Sequence, residues 1–261
     1  MPEDAFIGID VAFAKNKRLP VCACTLRHGR LCPLPLRRRD LPQPPRGRGN
    51  KLALDADVVA AFALETLTYV QAIEKALDIR VVRSAIDAPS AFKQPGRTRR
   101  AAELAMDKRN ISCFATPSRE EFDAIIVKAR KHLESGGSES RIPHANQLWM
   151  LAGFSLFETL TRSYPCIEVY PQATVAVLGC SKVHKSKADG LAAQLRSASK
   201  ATGWSGEAGQ PDLEAAVFGP PHDRLDAYLS AWIASLPEGD RIACGVSPDD
   251  AIWIPAPTSV Q

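Results

Sequence analysis

The first strong pattern along the chain is a compact apolar run, Phe6-Ile7-Gly8-Ile9-Asp10-Val11-Ala12-Phe13, which reads as a β-strand with one acid inside it. Residues 19–26 and 31–36 read as two further strands, with Arg27-His28-Gly29-Arg30 as the hairpin turn between them. Short polar connections among the three predict an antiparallel meander. Residues 57–77 then switch to a helical period and carry Val58, Phe62, Leu67, Val70 and Ile73 toward a core. The β-branched run 79–87 predicts a fourth strand, which ends on Asp87 and is cut off by Pro89.

Beyond it the pattern predicts a basic helix over 97–109, a short strand over 111–116, and helices over 119–133 and 146–161 separated by the flexible Ser135-Gly136-Gly137-Ser138. Residues 166–171 return to a strand with Glu168 in its middle. A helix over 188–199, a loop over 202–211 and a short helical stretch over 213–218 follow. After the Gly219-Pro220-Pro221 break a last helix begins near His222 and runs until Pro237 stops it. Leu225, Leu229 and Trp232 form its apolar stripe, and Ala227, Ala231 and Ala234 permit close packing beside it. Residues 251–255 add a final strand. No repeat or linker divides the chain, so 1–261 reads as a single domain, with 90–145 as an insertion between the fourth and fifth core strands.

The excess of 33 basic over 29 acidic residues is too small to argue for nucleic acid by itself, so the clustering of charge matters more than its sum. One cluster is proline-rich: Arg37-Arg38-Arg39, then Pro42, Pro44, Pro45, Arg46, Arg48 and Lys51. It lacks apolar periodicity and predicts a mobile surface loop, either a solvated linker or a flap that grips phosphate. Lys182, His184, Lys185 and Lys187 form a second. The cysteines show no Cys-x-x-Cys or Cys/His spacing, which points to reduced structural thiols rather than zinc. No apolar run reaches membrane-spanning length, and the charged Met1-Pro2-Glu3-Asp4 start is unlike a signal peptide, so a cytoplasmic location is expected. A homodimer is compatible with the sequence, in which nothing marks an interface.

The chemistry concentrates in acids set among apolar residues. Asp10 inside a strand is costly to bury without a partner, and Asp87 ends a second strand. Asp223 and Asp226 lie three apart near a helix start, where they can complement the helix dipole or hold a divalent cation. If the first strand lies beside the fourth, Asp10 and Asp87 approach one another, and the last helix brings Asp226 with Asp223 to the same sheet end. Such a set fits Mg²⁺ or Mn²⁺, which would relieve the repulsion among like charges. Glu168 has two readings, a fourth ligand or the partner of a buried arginine such as Arg100. Glu103 is either a site residue or half of a helical salt bridge with Arg99, Arg100 or Lys108. Arg100 and Lys185 are candidates to neutralise a phosphate. His222 is a proton shuttle or a cap.

The element order matches the ribonuclease H-like fold, an α/β architecture with a mixed sheet of five or slightly more strands, flanking helices and helical insertions. Gly8-Ile9-Asp10, Ile86-Asp87-Ala88-Pro89, Arg100-Ala101-Ala102-Glu103, Ile167-Glu168-Val169-Tyr170-Pro171, His184-Lys185 and His222-Asp223-Arg224-Leu225-Asp226-Ala227 occur in the order seen in the domain of unknown function 429 family. The chain resembles that family over nearly its whole length, and the resemblance implies a ribonuclease H-like nuclease. The Asp-x-x-Asp-Ala pattern is also similar to that of Holliday-junction resolvases. The expected activity is metal-dependent hydrolysis of DNA or RNA phosphodiesters, with Asp10, Asp87, Asp223 and Asp226 as metal ligands and Glu168 assisting. Two alternatives stand beside it. An actin-like ATPase or phosphotransferase would need a glycine-rich turn after the first acid, where this chain has Val11-Ala12-Phe13-Ala14-Lys15. A non-catalytic nucleic-acid-binding module would have no need of the clustered carboxylates.

Overall fold

In the computed structural model, which describes residues 1–180, 183–204 and 213–257, seven strands form one mixed sheet. In chain order they are β1 (Glu3–Asp10), β2 (Val21–Arg27), β3 (Arg30–Pro33), β4 (Ile79–Asp87), β5 (Cys166–Val169), β6 (Arg241–Val246) and β7 (Asp250–Pro255). Their order across the sheet is β3-β2-β1-β4-β5-β7-β6. The expected meander is present: β1, β2 and β3 pair antiparallel, and His28 and Gly29, both at positive φ, make the turn. β1 runs parallel to β4, β4 to β5, and β5 to β7. Strand β6, which carries no strong signal in the sequence, pairs antiparallel with β7 and widens the sheet beyond five strands.

The helices are α1 (Asn50–Ala53), α2 (Ala56–Leu77), α3 (Ala101–Asp107), α4 (Arg119–Glu134), α5 (Trp149–Leu160), α6 (Pro171–Val177), α7 (Ala188–Thr202), α8 (Leu213–Ala216) and α9 (Pro221–Ser235). One core cluster lies on the sheet face that carries Ile7 and Ile9, and unites them with Phe62, Val70 and Ile73 of α2, Ile125 and Ala129 of α4, and Leu156 of α5. Residues 90–145, between β4 and β5, thus contribute to the central core through α4. The opposite face packs on α9, whose residues 225–235 are all buried between the sheet and α7 and α8. A helix buried all round has no need of the single stripe that its sequence suggested. Helix α2 is long and apolar enough to cross a membrane by length and composition, but it buries Val59, Phe62, Tyr69, Val70 and Ile73 in the core.

Several expectations are corrected. Residues 111–116 form no strand: they run extended over α3, held by Thr116 N–H donating to Glu103 and by Tyr170 Oη donating to the Ser112 carbonyl. The basic helix starts only at Ala101, because Arg100 is its N-cap and bends out of the helix. Strand β5 ends at Val169, since Pro171 opens α6 at the position where proline suits a helix start. The proline-rich basic segment is not a free loop. Leu36, Leu41, Pro44 and Pro45 are buried, Leu19 N–H donates to the Pro45 carbonyl and Gly47 N–H to the Lys17 carbonyl. Four of its arginines are also occupied: Arg37 on the Glu214 carbonyl, Arg38 on Asp40, Arg46 on the Asn16 carbonyl and Arg48 on Glu65. Lys182, and most of the loop expected over 202–211, lie outside the described residues.

Candidate metal centre

The parallel register of β1 and β4 pairs Asp10 directly with Asp87 at the carboxyl ends of the two central strands. Residues of one strand alternate between faces, so Asp10 projects to the same side as Gly8. Gly8 is where α9 crosses: a Cβ there would stand 2.0 Å from the Ala227 carbonyl oxygen and 2.3 Å from Ala231 N. This close approach carries Asp226, one residue before Ala227, to the strand ends. One carboxylate oxygen from each of Asp10, Asp87 and Asp226 lies within 4.8 Å of the others. Three of the acids singled out from the sequence are thus brought together by three separate elements.

The electrostatics of the cluster are unbalanced. Burial pushes the Asp10 carboxyl well above the usual carboxylate range, and the charges of Asp87 and Asp223 push it further, against the pull of Lys185 and Lys17. Asp87 is pushed up to about 7, mainly by burial, with Glu168 and Asp223 adding to the effect and Lys185 opposing it. Lys185 Nζ donates to Asp226 Oδ2 in a largely buried contact. Asp223 stands outside the set of three. Its Oδ1 lies 3.0 Å from Nε2 of the half-exposed His222, toward solvent.

Glu168 is drawn away from the metal set. Arg100 holds it in a bidentate pair, Nη2–Oε2 2.6 Å and Nη1–Oε1 3.0 Å, and Ser90 N–H donates to it at 2.7 Å. Of its two readings, the structure supports pairing with the buried arginine. Arg100 in turn is 3 % exposed and also donates from Nε to Asp250 at 2.9 Å, so its guanidinium is committed to two carboxylates within the protein. Glu103 is likewise tied to neighbouring protein groups, although it lines the cavity beside the acids. It accepts from Thr116 N–H at 2.7 Å and Arg100 N–H at 3.3 Å, and makes the helical ion pair with Arg99. Sequence reasoning missed Asp250, whose carboxylate accepts from Arg100 and from Ala101 N–H and so ties α3 to β7. Its position next to Asp249, at the start of the final apolar strand, was the available signal.

A cavity of about 300 Å³ opens beside the acids, lined by Asp10 and Asp87 themselves, by the paired Arg100 and Glu168 and by Glu103, with apolar and aromatic walls from Val11, Phe114, Trp149 and Tyr170. The Tyr170 phenol is pushed up to about 12 by burial and by the nearby Asp87 charge. A second groove, of about 700 Å³, shares Val11 and Trp149 with the first and is lined by Lys15, Lys17, Arg48 and Lys51. Lys15 and Lys17 are exposed and, among the described residues, in no ion pair. Neither residue stood out in the sequence, because each is a single lysine in a polar connection.

A family model described as Protein of unknown function (DUF429) matches residues 8–251. That span runs from the glycine under α9 to the start of β7, and so contains every residue of the site. No curated protein and no solved structure matches the chain.

Proposed function

The chain belongs to the DUF429 family, and on that premise we propose that it is a metal-dependent nuclease of ribonuclease H-like fold, hydrolysing phosphodiester bonds of DNA or RNA at the Asp10, Asp87 and Asp226 centre. The observation that carries the reading is the convergence of three carboxylates, from β1, β4 and α9, within 4.8 Å. A set of oxygen donors alone, with no histidine or thiolate, suits a hard divalent cation such as Mg²⁺ or Mn²⁺. Burial first, and neighbouring carboxylates after it, raise the Asp10 and Asp87 carboxyls, so their ionised forms are costly here and a cation would relieve that cost. The antiparallel meander followed by parallel β4 and β5, with the acids at the strand ends, supports the fold reading.

Bound there, Mg²⁺ or Mn²⁺ supplies Lewis acidity toward a phosphodiester and its attacking water. Asp10, Asp87 and Asp226 would hold the ion and are themselves held by the sheet and by α9. Lys185 carries a positive charge to the same spot and offers it to a phosphate oxygen. Asp223 and His222 lie in contact at the solvent edge, Oδ1 to Nε2 3.0 Å, where the imidazole could pass a proton outward. Lys15 and Lys17 line a basic track for the flanking phosphates.

The test is cleavage of labelled single-stranded, duplex and branched DNA and RNA with Mg²⁺, Mn²⁺ or EDTA, alongside Asp10→Asn and Asp226→Asn. Cutting that needs the metal and is lost in both variants is the expected result. Cutting that survives both substitutions, or no cutting of any substrate, would overturn the assignment.

A further inference from the structure

We infer that the cavity beside the metal centre receives one unpaired nucleobase of the substrate strand, so that the enzyme selects single-stranded, looped or everted nucleotides. The inference rests on the nuclease reading and adds the substrate class to it. Asp10 and Asp87 belong both to the cavity wall and to the carboxylate cluster, so whatever fills the cavity lies against the reacting phosphate. In a nucleic acid, the group joined to that phosphate through one sugar is a base.

The walls fit a flat heterocycle. Trp149 and Tyr170 contribute aromatic surface, Met150 and Val11 apolar surface, and Phe114, 57 % exposed, stands at the rim as a large apolar side chain in contact with water. Aromatic platforms of this kind stack bases without regard to sequence. Thr116, 1 % exposed, lines the same cavity, and its hydroxyl is buried with no hydrogen-bond partner. Rotation about χ1 would present that hydroxyl to the polar edge of a base. About 300 Å³ is the low end for small-ligand cavities, room for one base and not for a base pair. The basic groove and the cavity share Val11 and Trp149 as walls, so a strand whose phosphates follow Lys15 and Lys17 would run close to the cavity. A base held in a duplex has both faces stacked and its edge paired, so it enters only after leaving the helix.

The test is a walk of single abasic sites along short single-stranded DNA and RNA oligonucleotides, with binding measured in Ca²⁺ and cleavage measured in parallel in Mg²⁺ or Mn²⁺. Removing the base at one position should weaken binding about 5- to 100-fold, the range for loss of one stacked base. Phe114→Ala and Thr116→Val should each shrink that difference without lowering the melting temperature, since one side chain stands at the rim and the other exchange replaces an unpaired buried hydroxyl by a methyl of like size. Duplex should be cut more slowly than single strand or a single-nucleotide bulge. A flat abasic walk, or equal cutting of paired and unpaired strands, overturns the cavity assignment while metal-dependent cleavage upholds the nuclease. Position-dependent binding that both variants diminish, without cleavage under any metal, upholds the cavity and sinks the nuclease. No binding and no cutting of any oligonucleotide overturns both.

Discussion

Gly8 of β1 and Ala227 of α9 meet so closely that even a methyl group on Gly8 would stand 2.0 Å from the Ala227 carbonyl oxygen. The contact is between backbone and backbone, and it sets the distance between the strand that carries Asp10 and the helix that carries Asp226. The sequence Gly8-Ile9-Asp10 therefore combines two requirements in one strand: a residue without a side chain where the helix crosses, and an acid two positions on, projecting from the same face.

Gly8→Ala should destabilise the protein by about 3 kcal/mol or more, beyond the usual cost of overpacking, because the obstruction is backbone and no rotamer change relieves it. Urea denaturation measures this. The same variant should bind Mn²⁺ less tightly, since moving α9 outward carries Asp226 away from Asp10. Unchanged stability would mean that α9 does not pack on β1 in this way.

Glu168→Gln and Arg100→Met should each cost about 3–5 kcal/mol, as expected for removing one member of a buried ion pair. The two differ from the metal ligands in a second readout. Glu168→Gln should keep its response to Mn²⁺, whereas Asp87→Asn should lose it. Calorimetric titration of the folded variants decides the matter, and a lost Mn²⁺ response in Glu168→Gln would restore Glu168 to the metal set.

The alternation of strands and helices and the convergence of Asp10, Asp87 and Asp226 were legible because each rests on a strong local pattern. An apolar strand that ends on an acid stands out, and the expectation that the first strand lies beside the fourth came with the ribonuclease H-like fold that the element order matches. The partner of Glu168 could be narrowed only to a choice, because Arg100 lies 68 positions away and no local pattern selects it. Strand β6 escaped because Arg241-Ile242-Ala243-Cys244-Gly245-Val246 is short, sits at the sheet edge and alternates weakly. The loop expected in the proline-rich segment failed for a different reason. Its prolines and leucines pack individually on the core, and packing of that kind has no period to detect.

Stability should respond to pH with a defined sign. Asp87 is pushed up to about 7 in the fold, above its unfolded value, so between about pH 4 and 7 the folded protein retains a proton that the unfolded chain has released. Stability of the metal-free protein therefore falls as pH rises through this window. Asp87→Asn should flatten that slope, leaving the share of the likewise raised Asp10, and stabilise the metal-free protein at pH 8 by about 1–4 kcal/mol, the gain found when buried charge is replaced. Melting temperatures of both proteins in EDTA across the window test this, and parallel curves would place the titration elsewhere.

Lys185 and a divalent cation compete for the same carboxylate. The ammonium group contacts Asp226 Oδ2, and its side chain is largely buried there, so it stabilises the metal-free cluster by neutralising one of three like charges. An incoming ion must either displace it or sit beside a positive charge. At contact range and an effective dielectric near 20, that repulsion exceeds about 1.4 kcal/mol, so Lys185→Met should tighten Mn²⁺ binding on the order of tenfold or more. Cleavage should nevertheless slow, because the phosphate loses a cation that the metal does not replace. Tighter binding with slower turnover separates this role from a purely structural one. If Lys185→Met instead weakens Mn²⁺ binding, the lysine serves to orient Asp226, and its loss misplaces the ligand.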